Sequence, residues 1–176
     1  VQAHRWRADP VRDQVIHFDS RGLVEHELPA PDDLLRVDRV FDVGAGLRPM
    51  NWYRPAHHIC IEPHKPYADR LKAAGFEVRN AEALDVLSSD TAEAVYMLDV
   101  IEHMTRETGI ACIEAASRYA RQIVVFTPAG FLEQHGDAWG MGGEVWQEHR
   151  SGWLPDDFPG WAIRSYGKGF MATWTR

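Results

Sequence analysis

Four groups of residues in this chain have the types and spacing to do chemistry. The first is Asp42-Val43-Gly44-Ala45-Gly46, two glycines separated by one residue. Glycine lets the chain reverse sharply and leaves no side chain between the backbone and a ligand. The second is Glu62, at the end of the apolar run Ile59-Cys60-Ile61. A carboxylate about 20 residues beyond a glycine turn is placed to accept hydrogen bonds from ribose hydroxyls. The third is Leu98-Asp99-Val100-Ile101-Glu102-His103, which ends another apolar run, and the fourth is His149. Imidazoles titrate near neutrality and suit proton transfer, so His149 and His103 are the candidate bases. Together the groups suggest a ligand containing a nucleoside and a reaction that moves a proton.

The elements that must position these groups alternate in type. Val37, Val40, Phe41 and Val43 read as a buried parallel strand ending at the glycines. Ile59–Ile61, Phe76–Arg79, Ala94–Leu98 and Gln122–Phe126 read as four more strands. A helix is expected from Lys65 and Pro66 to Gly75, with Phe76 packing back on Leu71. Another is expected from the cap Thr105 to about Ala120, with Glu107 in its first turn and Ile110, Ile113 and Ala116 as its buried stripe. Residues 131–153 show little periodicity and read as a binding loop or lid. Leu154–Phe158 is a short helical piece, and Trp161–Tyr166 with Gly169–Thr175 form a closing hairpin around Gly167-Lys168. In an open α/β sheet, ligands bind outside the carboxyl ends of the strands, where all four groups fall.

A dinucleotide site is one reading of the glycine turn. It wants Gly-x-Gly-x-x-Gly opening a full helix with pyrophosphate at its amino end. Here Pro49 stands at the third glycine position and Pro55 follows, so the helix between the two strands is at most a turn and a half. A phosphate-free nucleoside asks less of such a loop.

Asp42-x-Gly44-x-Gly46, Glu62 and Asp99-Val100-Ile101-Glu102-His103 together resemble a class I S-adenosylmethionine-dependent methyltransferase. The resemblance is to the small-molecule type with a D-V-I-E-H segment after the fourth strand, and it runs from about Val37 to Trp174. It implies a Rossmann-like, mostly parallel seven-stranded α/β sheet in the order 3-2-1-4-5-7-6, flanked by helices, with the first helix shortened. It implies S-adenosylmethionine as cofactor and S-adenosylhomocysteine as product. Asp42, Gly44, Ala45 and Gly46 would lie beside the methionine part, and Glu62 would hold the ribose. Pro63, Asn80, Ala81 and Glu82 would border adenine, with Asn80 where the family commonly has Asp. Leu98, through its backbone, and Asp99 would face the amino-acid end. The segment His149–Trp153 resembles one that precedes the family's last helix. Arg48 is read as solvent-facing, with the cofactor carboxylate as the alternative. His57, His58 and His64 are read as solvent-facing. No metal is assigned. Glu102, His103 and His149 can ligate a divalent cation, as in some related methyltransferases, but the sequence does not fix their spacing.

Composition sets the setting. The chain has 176 residues and a formal net charge of −7, which disfavours loose attachment to nucleic acid. No apolar run reaches the ~20 residues of a membrane span, and Val1–Pro10 does not read as a signal peptide. Cys60 and Cys112 read as buried free thiols in a reducing, cytoplasmic setting. A single domain is expected: an extension over 1–36, a cofactor core over 37–130, a lid over 131–160 and a hairpin over 161–176. The expected partner is a small-molecule hydroxyl or amine acceptor. The other function class is a methyltransferase-like domain without catalysis that binds cofactor or a protein.

Overall fold

The computed structural model describes residues 16–176. The reading of Val1–Pro10 and the first 15 residues of the extension expected over 1–36 lie outside the described residues. Seven strands make one sheet: β1 Arg39–Val43, β2 His57–Ile61, β3 Glu77–Arg79, β4 Ala94–Leu98, β5 Gln122–Pro128, β6 Ala162–Tyr166 and β7 Gly169–Thr175. Their order is 3-2-1-4-5-7-6. The first five are parallel, and β7 runs antiparallel to both β5 and β6. β4 is buried at all five positions, as its apolar run requires.

Helices α1 Lys65–Ala73, α2 Ala83–Ser89 and α3 Arg106–Ser117 flank the sheet. One face carries Phe41, Val43, Ile59, Ile61, Val95, Met97, Ile123 and Val125, covered by α2 and α3. The other face carries Val40, Tyr96, Leu98, Val124 and Met171. α1 covers this second face only at the β2 edge, where Leu71 packs on Cys60.

The shortened helix expected after Gly46 is absent. Residues 48–56 are irregular, because Pro49 lacks an amide hydrogen and Pro55 closes the stretch from the other side. The face that this helix would cover is instead covered by Met50, Trp52 and Tyr53, with Leu28, Leu34 and Leu35 from the preceding segment. Trp52 meets Tyr96 edge-on at 5.5 Å, and the Tyr53 and Tyr96 hydroxyls lie 3.1 Å apart. The two stretches are tied by Trp52 Nε1 donating to the Leu28 carbonyl (2.8 Å) and Val24 N to the Leu47 carbonyl (2.8 Å).

α3 has the expected cap, with Thr105 Oγ1 accepting from Thr108 N. Its buried stripe is Gly109, Cys112, Ala115 and Ala116; of the stripe read from the sequence, Ala116 belongs to it, Ile113 is half-buried against the core, and Ile110 is 42% exposed. The reason is Trp153, whose indole lies against Gly109: a Cβ there would come within 2.7 Å of the ring. The helix turns its small residues to that indole, and Ile110 is carried outward.

Candidate active site

The carboxyl ends of β1, β2, β4 and β5 and the start of α2 open into one cavity of about 580 Å³. Its floor is main chain. Gly44 and Gly46 have φ +62° and +55°, a region that costs other L-residues roughly 1–2 kcal/mol. Above Gly46 lies the Trp139 ring, 2.4 Å from where a Cβ would be. Trp139 also packs edge-on against Tyr67 at 5.1 Å.

Glu62 ends β2 at the cavity wall with only 4% exposure. Its Oε2 accepts from Gly46 N (2.9 Å) and its Oε1 from His64 N (2.8 Å). These two amides leave two carboxylate lone pairs free. Burial outweighs the amides and pushes the carboxyl up to about 7. Asn80 braces the same corner, its Nδ2 donating to the Glu62 and Pro63 carbonyls at 2.9 Å each.

Across the floor, β4 hands over to a 3₁₀ turn at Ile101–His103. Asp99 sits between them with φ +53°, strained for any residue but glycine and tolerated best by Asn or Asp. Among the described residues, no hydrogen bond reaches its carboxylate, which burial raises to about 6. Glu102 is 2% exposed, and its Oε2 accepts from Thr127 Oγ1 at 3.1 Å. Burial first, and the charge of Asp99 second, raise its carboxyl well above the ordinary value.

The loop after β5 brings in the fourth group. Arg150 N and Ser151 N both donate to the Glu102 carbonyl, at 2.7 and 3.0 Å. Ser151 Oγ donates to the Ile101 carbonyl (3.0 Å) and accepts from Trp153 Nε1 (2.8 Å). This clasp sets His149 beside His103, ring centroids 4.7 Å apart. His103 Nδ1 pairs with the Glu148 carbonyl (3.3 Å) and His149 Nδ1 with the Leu132 carbonyl (2.7 Å). A carbonyl only accepts, so both rings carry hydrogen on Nδ1 and keep a lone pair on Nε2. Burial lowers both imidazoles, His103 to about 4.

The rest of this loop is organised on Asp137, whose carboxylate accepts from the amides of Trp139, Met141 and Gly143 at 2.8, 2.6 and 3.0 Å. His64 Nε2 pairs with the Met141 carbonyl at 2.9 Å and ties this turn to the start of α1.

No protein-family model matches the sequence, and no protein with a curated description matches it. Solved structures do resemble it. One is an O-methyltransferase family protein from Burkholderia thailandensis, with TM-score 0.53 and 12% identity over 80% of this chain and 51% of that one. A SAM-dependent methyltransferase from Archaeoglobus fulgidus gives 0.52 and 11%, over 80% and 86%. Magnesium protoporphyrin IX methyltransferase from Synechocystis PCC 6803, with bound SAH, gives 0.52 and 14%, over 78% and 74%. The chain has the class I methyltransferase fold. It spans about half the length of the Burkholderia protein. At these identities the likeness is one of fold, and the chemistry has to be argued from this chain's residues.

Within that fold, the structure brings together Gly44, Gly46, Glu62, Pro63, Glu82, Asp99, His103 and His149 on one cavity wall. It does not bring the side chains of Asp42, Ala45, Asn80, Ala81 and Leu98 there. Asp42 corrects the sequence reading. Strand alternation puts Val43 on the cavity side and Asp42 on the opposite face, where its Oδ2 accepts from Met50 N (2.7 Å) and meets His58 Nε2 (2.8 Å). His58 is therefore not solvent-facing, and neither is His64; of the three histidines flanking β2 and read as solvent-facing, His57 alone is exposed. Ala45 and Leu98 pack in the two clusters on that far face, and Ala81 packs against the near one.

Arg48, read as solvent-facing, is another residue that sequence reasoning misplaced. It lines the cavity, and its Nε is buried without a partner among the described residues. The signal was its position two residues past Gly46 in a stretch too proline-rich to be a helix. Tyr67, Trp139 and Trp146 also line the cavity, and no periodic pattern announces them.

Proposed function

We propose that this chain is an S-adenosylmethionine-dependent methyltransferase acting on a small-molecule hydroxyl or amine. One observation carries the reading: a single cavity has the main chain of Gly44 and Gly46 for its floor, with Trp139 over Gly46, a buried Glu62 at one end, and Asp99, His103 and His149 at the other. Its volume of about 580 Å³ is in the ordinary range for a small-molecule site, roughly 300–1,000 Å³.

The residues fit an adenosyl ligand. Glu62 keeps free lone pairs for two ribose hydroxyls. Pro63, Glu82 and Ala83 form the wall at the adenine end, with Asn80 and Ala81 behind them. Arg48 supplies an unpaired guanidinium nitrogen to a carboxylate, and Asp99 a carboxylate to an ammonium group. When bound, the cofactor supplies a methyl group activated by a sulfonium. The chain's own part is to hold donor and acceptor in line, exclude water with the lid, and take a proton. His149 and His103 present their Nε2 lone pairs at the acceptor end for that purpose. Trp146, Leu132 and Pro128 give this end flat and apolar walls that suit a ring.

The net charge of −7 supports a small acceptor over a nucleic acid. No helix among the described residues is long and apolar enough to cross a membrane. The free, buried Cys60 and Cys112 accord with a cytoplasmic setting. We read 37–130 as the cofactor core of one domain, 131–160 as its lid and 161–176 as its closing hairpin.

The test is calorimetry with S-adenosylmethionine, S-adenosylhomocysteine and NAD, then turnover against a panel of hydroxyl and amine acceptors. Binding of the adenosyl compounds alone, with methyl transfer, is expected. Failure of both adenosyl compounds to bind would remove the assignment. A second reading is a non-catalytic domain, favoured by Trp139, whose ring occupies the space over Gly46. It predicts no methyl transfer to any acceptor, whether the adenosyl compounds bind to the wild type or only to Trp139→Ala.

A further inference from the structure

On the sheet face turned away from the first cavity, β1 and β2 bring a second set of donor atoms together. Asp42 and Cys60 are partners in the β1–β2 register, and His58 stands two residues before Cys60. Strand alternation turns all three to the same face. One ligand atom from each lies within 4.8 Å of the other two. His58 Nε2 and Asp42 Oδ2 are already 2.8 Å apart. Asp42 is 2% exposed, Cys60 is fully buried, and the thiol is not in a disulfide. The letters alone do not show this set, because only the pairing of the two strands makes its members neighbours. A fourth donor comes from a different stretch. His26 is 5% exposed, and its Nδ1 is buried without a partner among the described residues. His26 and His58 line one cavity of about 980 Å³, and the charge of Asp42 reaches the His26 ring. Met50 and Tyr53 also line this cavity, so it lies among the irregular residues that stand in for the helix after Gly46.

We propose that Asp42, His58 and Cys60, with His26 as the fourth ligand, form a structural site for one zinc-type cation on this face. A thiolate, two imidazoles and a carboxylate are donors that zinc takes, whereas magnesium and calcium prefer oxygen. Bonds of about 2.0–2.1 Å to nitrogen and oxygen, and about 2.3 Å to sulfur, put ligand atoms roughly 3.3–3.6 Å apart in a tetrahedral array. The His58–Asp42 contact opens slightly as the cation takes the place of the hydrogen between them, and rotation of the other side chains closes the rest. The His58 hydrogen moves to Nδ1. The Cys60 proton leaves to solvent, because the thiolate is the ligand. Met50 N, which donates to the same carboxylate at 2.7 Å, orients Asp42 as an outer-shell partner does. Four protein ligands close the site, so its role is mechanical and not catalytic. Ligation ties His26, in the stretch that covers the sheet without a helix, to β1 and β2. β1 runs on from Asp42 to Gly44, so the same tie steadies the floor of the first cavity. The cation site does not depend on the methyl-transfer reading.

The experiment uses the full chain, stripped with chelator and titrated with Co²⁺ as the probe. Visible bands report tetrahedral ligation, and a thiolate-to-cobalt charge-transfer band in the near ultraviolet reports a cysteine ligand. Cys112 packs in the core on the other face, so that band belongs to Cys60. One equivalent of Co²⁺ with both bands, displaced by Zn²⁺, is expected. Cys60→Ala should abolish the charge-transfer band. His58→Asn should weaken binding at least about 100-fold, more than loss of an outer-shell partner does. His26→Ala should weaken binding and keep the band; an unchanged affinity would overturn the four-ligand set. His135→Ala, at an exposed histidine away from the cluster, should change nothing. Cobalt taken up without the thiolate band is held elsewhere and overturns the proposal, as does no uptake, or a band that survives Cys60→Ala. Melting temperatures are read with and without Zn²⁺. One equivalent should raise that of wild type but not that of Cys60→Ala, which keeps a small apolar group at the buried position. This pair decides the matter if His58→Asn does not fold, and an equal rise in both overturns the site.

Discussion

Glu62 should couple both stability and cofactor binding to pH. Its carboxyl is buried, and burial carries it from an ordinary value of about 4.5 to about 7, even though two amides stabilise the anion. The folded state therefore disfavours the ionised form. The sign follows directly: below about pH 4.5 the group is protonated in both states and costs nothing. Through the window up to about 7 the unfolded chain ionises first, and stability falls. Above it the full cost applies, about 3 kcal/mol at 1.36 kcal/mol per pH unit. Urea denaturation of wild type and Glu62→Ala across this window isolates the effect, because the other titrating groups are common to both. The variant carries a pH-independent loss of roughly 1–3 kcal/mol for each amide left without its acceptor. On top of that offset, the stability advantage of wild type should shrink by about 3 kcal/mol from acid to neutral pH. Ribose hydroxyls donating to the carboxylate would stabilise the anion, so S-adenosylhomocysteine binding near pH 6–7 should release a proton. Calorimetry in buffers of different ionisation enthalpy counts that proton, and Glu62→Ala should reduce the release to the part that Asp99 contributes beside the ligand's ammonium group. A flat stability difference together with no proton release would refute the placement of Glu62 in the site.

Arg48→Ala should weaken S-adenosylhomocysteine by about 1.5–3 kcal/mol, the value of a hydrogen bond to a charged group, and leave 5′-methylthioadenosine, which has no carboxylate, unaffected; equal losses for both would show that Arg48 acts only by packing. Gly46→Ala should cost roughly 1–2 kcal/mol in backbone strain at φ +55° and expel the Trp139 ring, seen as a change in tryptophan fluorescence that Gly46→Ala/Trp139→Ala no longer shows. In α3, Gly109→Ala gains about 1 kcal/mol of helix propensity but drives a methyl to 2.7 Å from Trp153; overpacking of roughly 1–3 kcal/mol should win, and a higher melting temperature would contradict it. Thr105→Ala removes the cap of the same helix and should cost about 1 kcal/mol by denaturant titration.

The parts of this fold that could be read from sequence are those where burial acts on a short apolar run. β4 was legible because all five of its residues are buried. The glycine turn and Glu62 were legible because both ends of their spacing sit at strand tips. The strand order came from family resemblance, and the pairing bears it out. What escaped has physical reasons. Pro49 and Pro55 clearly weakened a helix, but nothing in the letters said that Leu28, Met50 and Trp52 would replace it altogether. Asp42 was assigned to the ligand by its neighbours in sequence, while strand alternation turned it to His58. On α3 the sequence pointed to Ala116 but put Ile110 on the buried face, because Gly109, where Trp153 lands, carries no apolar signal. The loop after β5 hangs on Asp137 and on amides donating to the Glu102 carbonyl, bonds of main chain to side chain or main chain that leave no period to detect.

Trp139 resting on Gly46 bears on the heat of binding. Anything that lies on that glycine must take the place of an indole, a group with roughly 150–250 Å² of surface to bury. One flat apolar body leaves as another arrives, and the net apolar area withdrawn from water is small. The heat-capacity change on association should then be only weakly negative, well short of what the ligand's own rings would produce in an open groove.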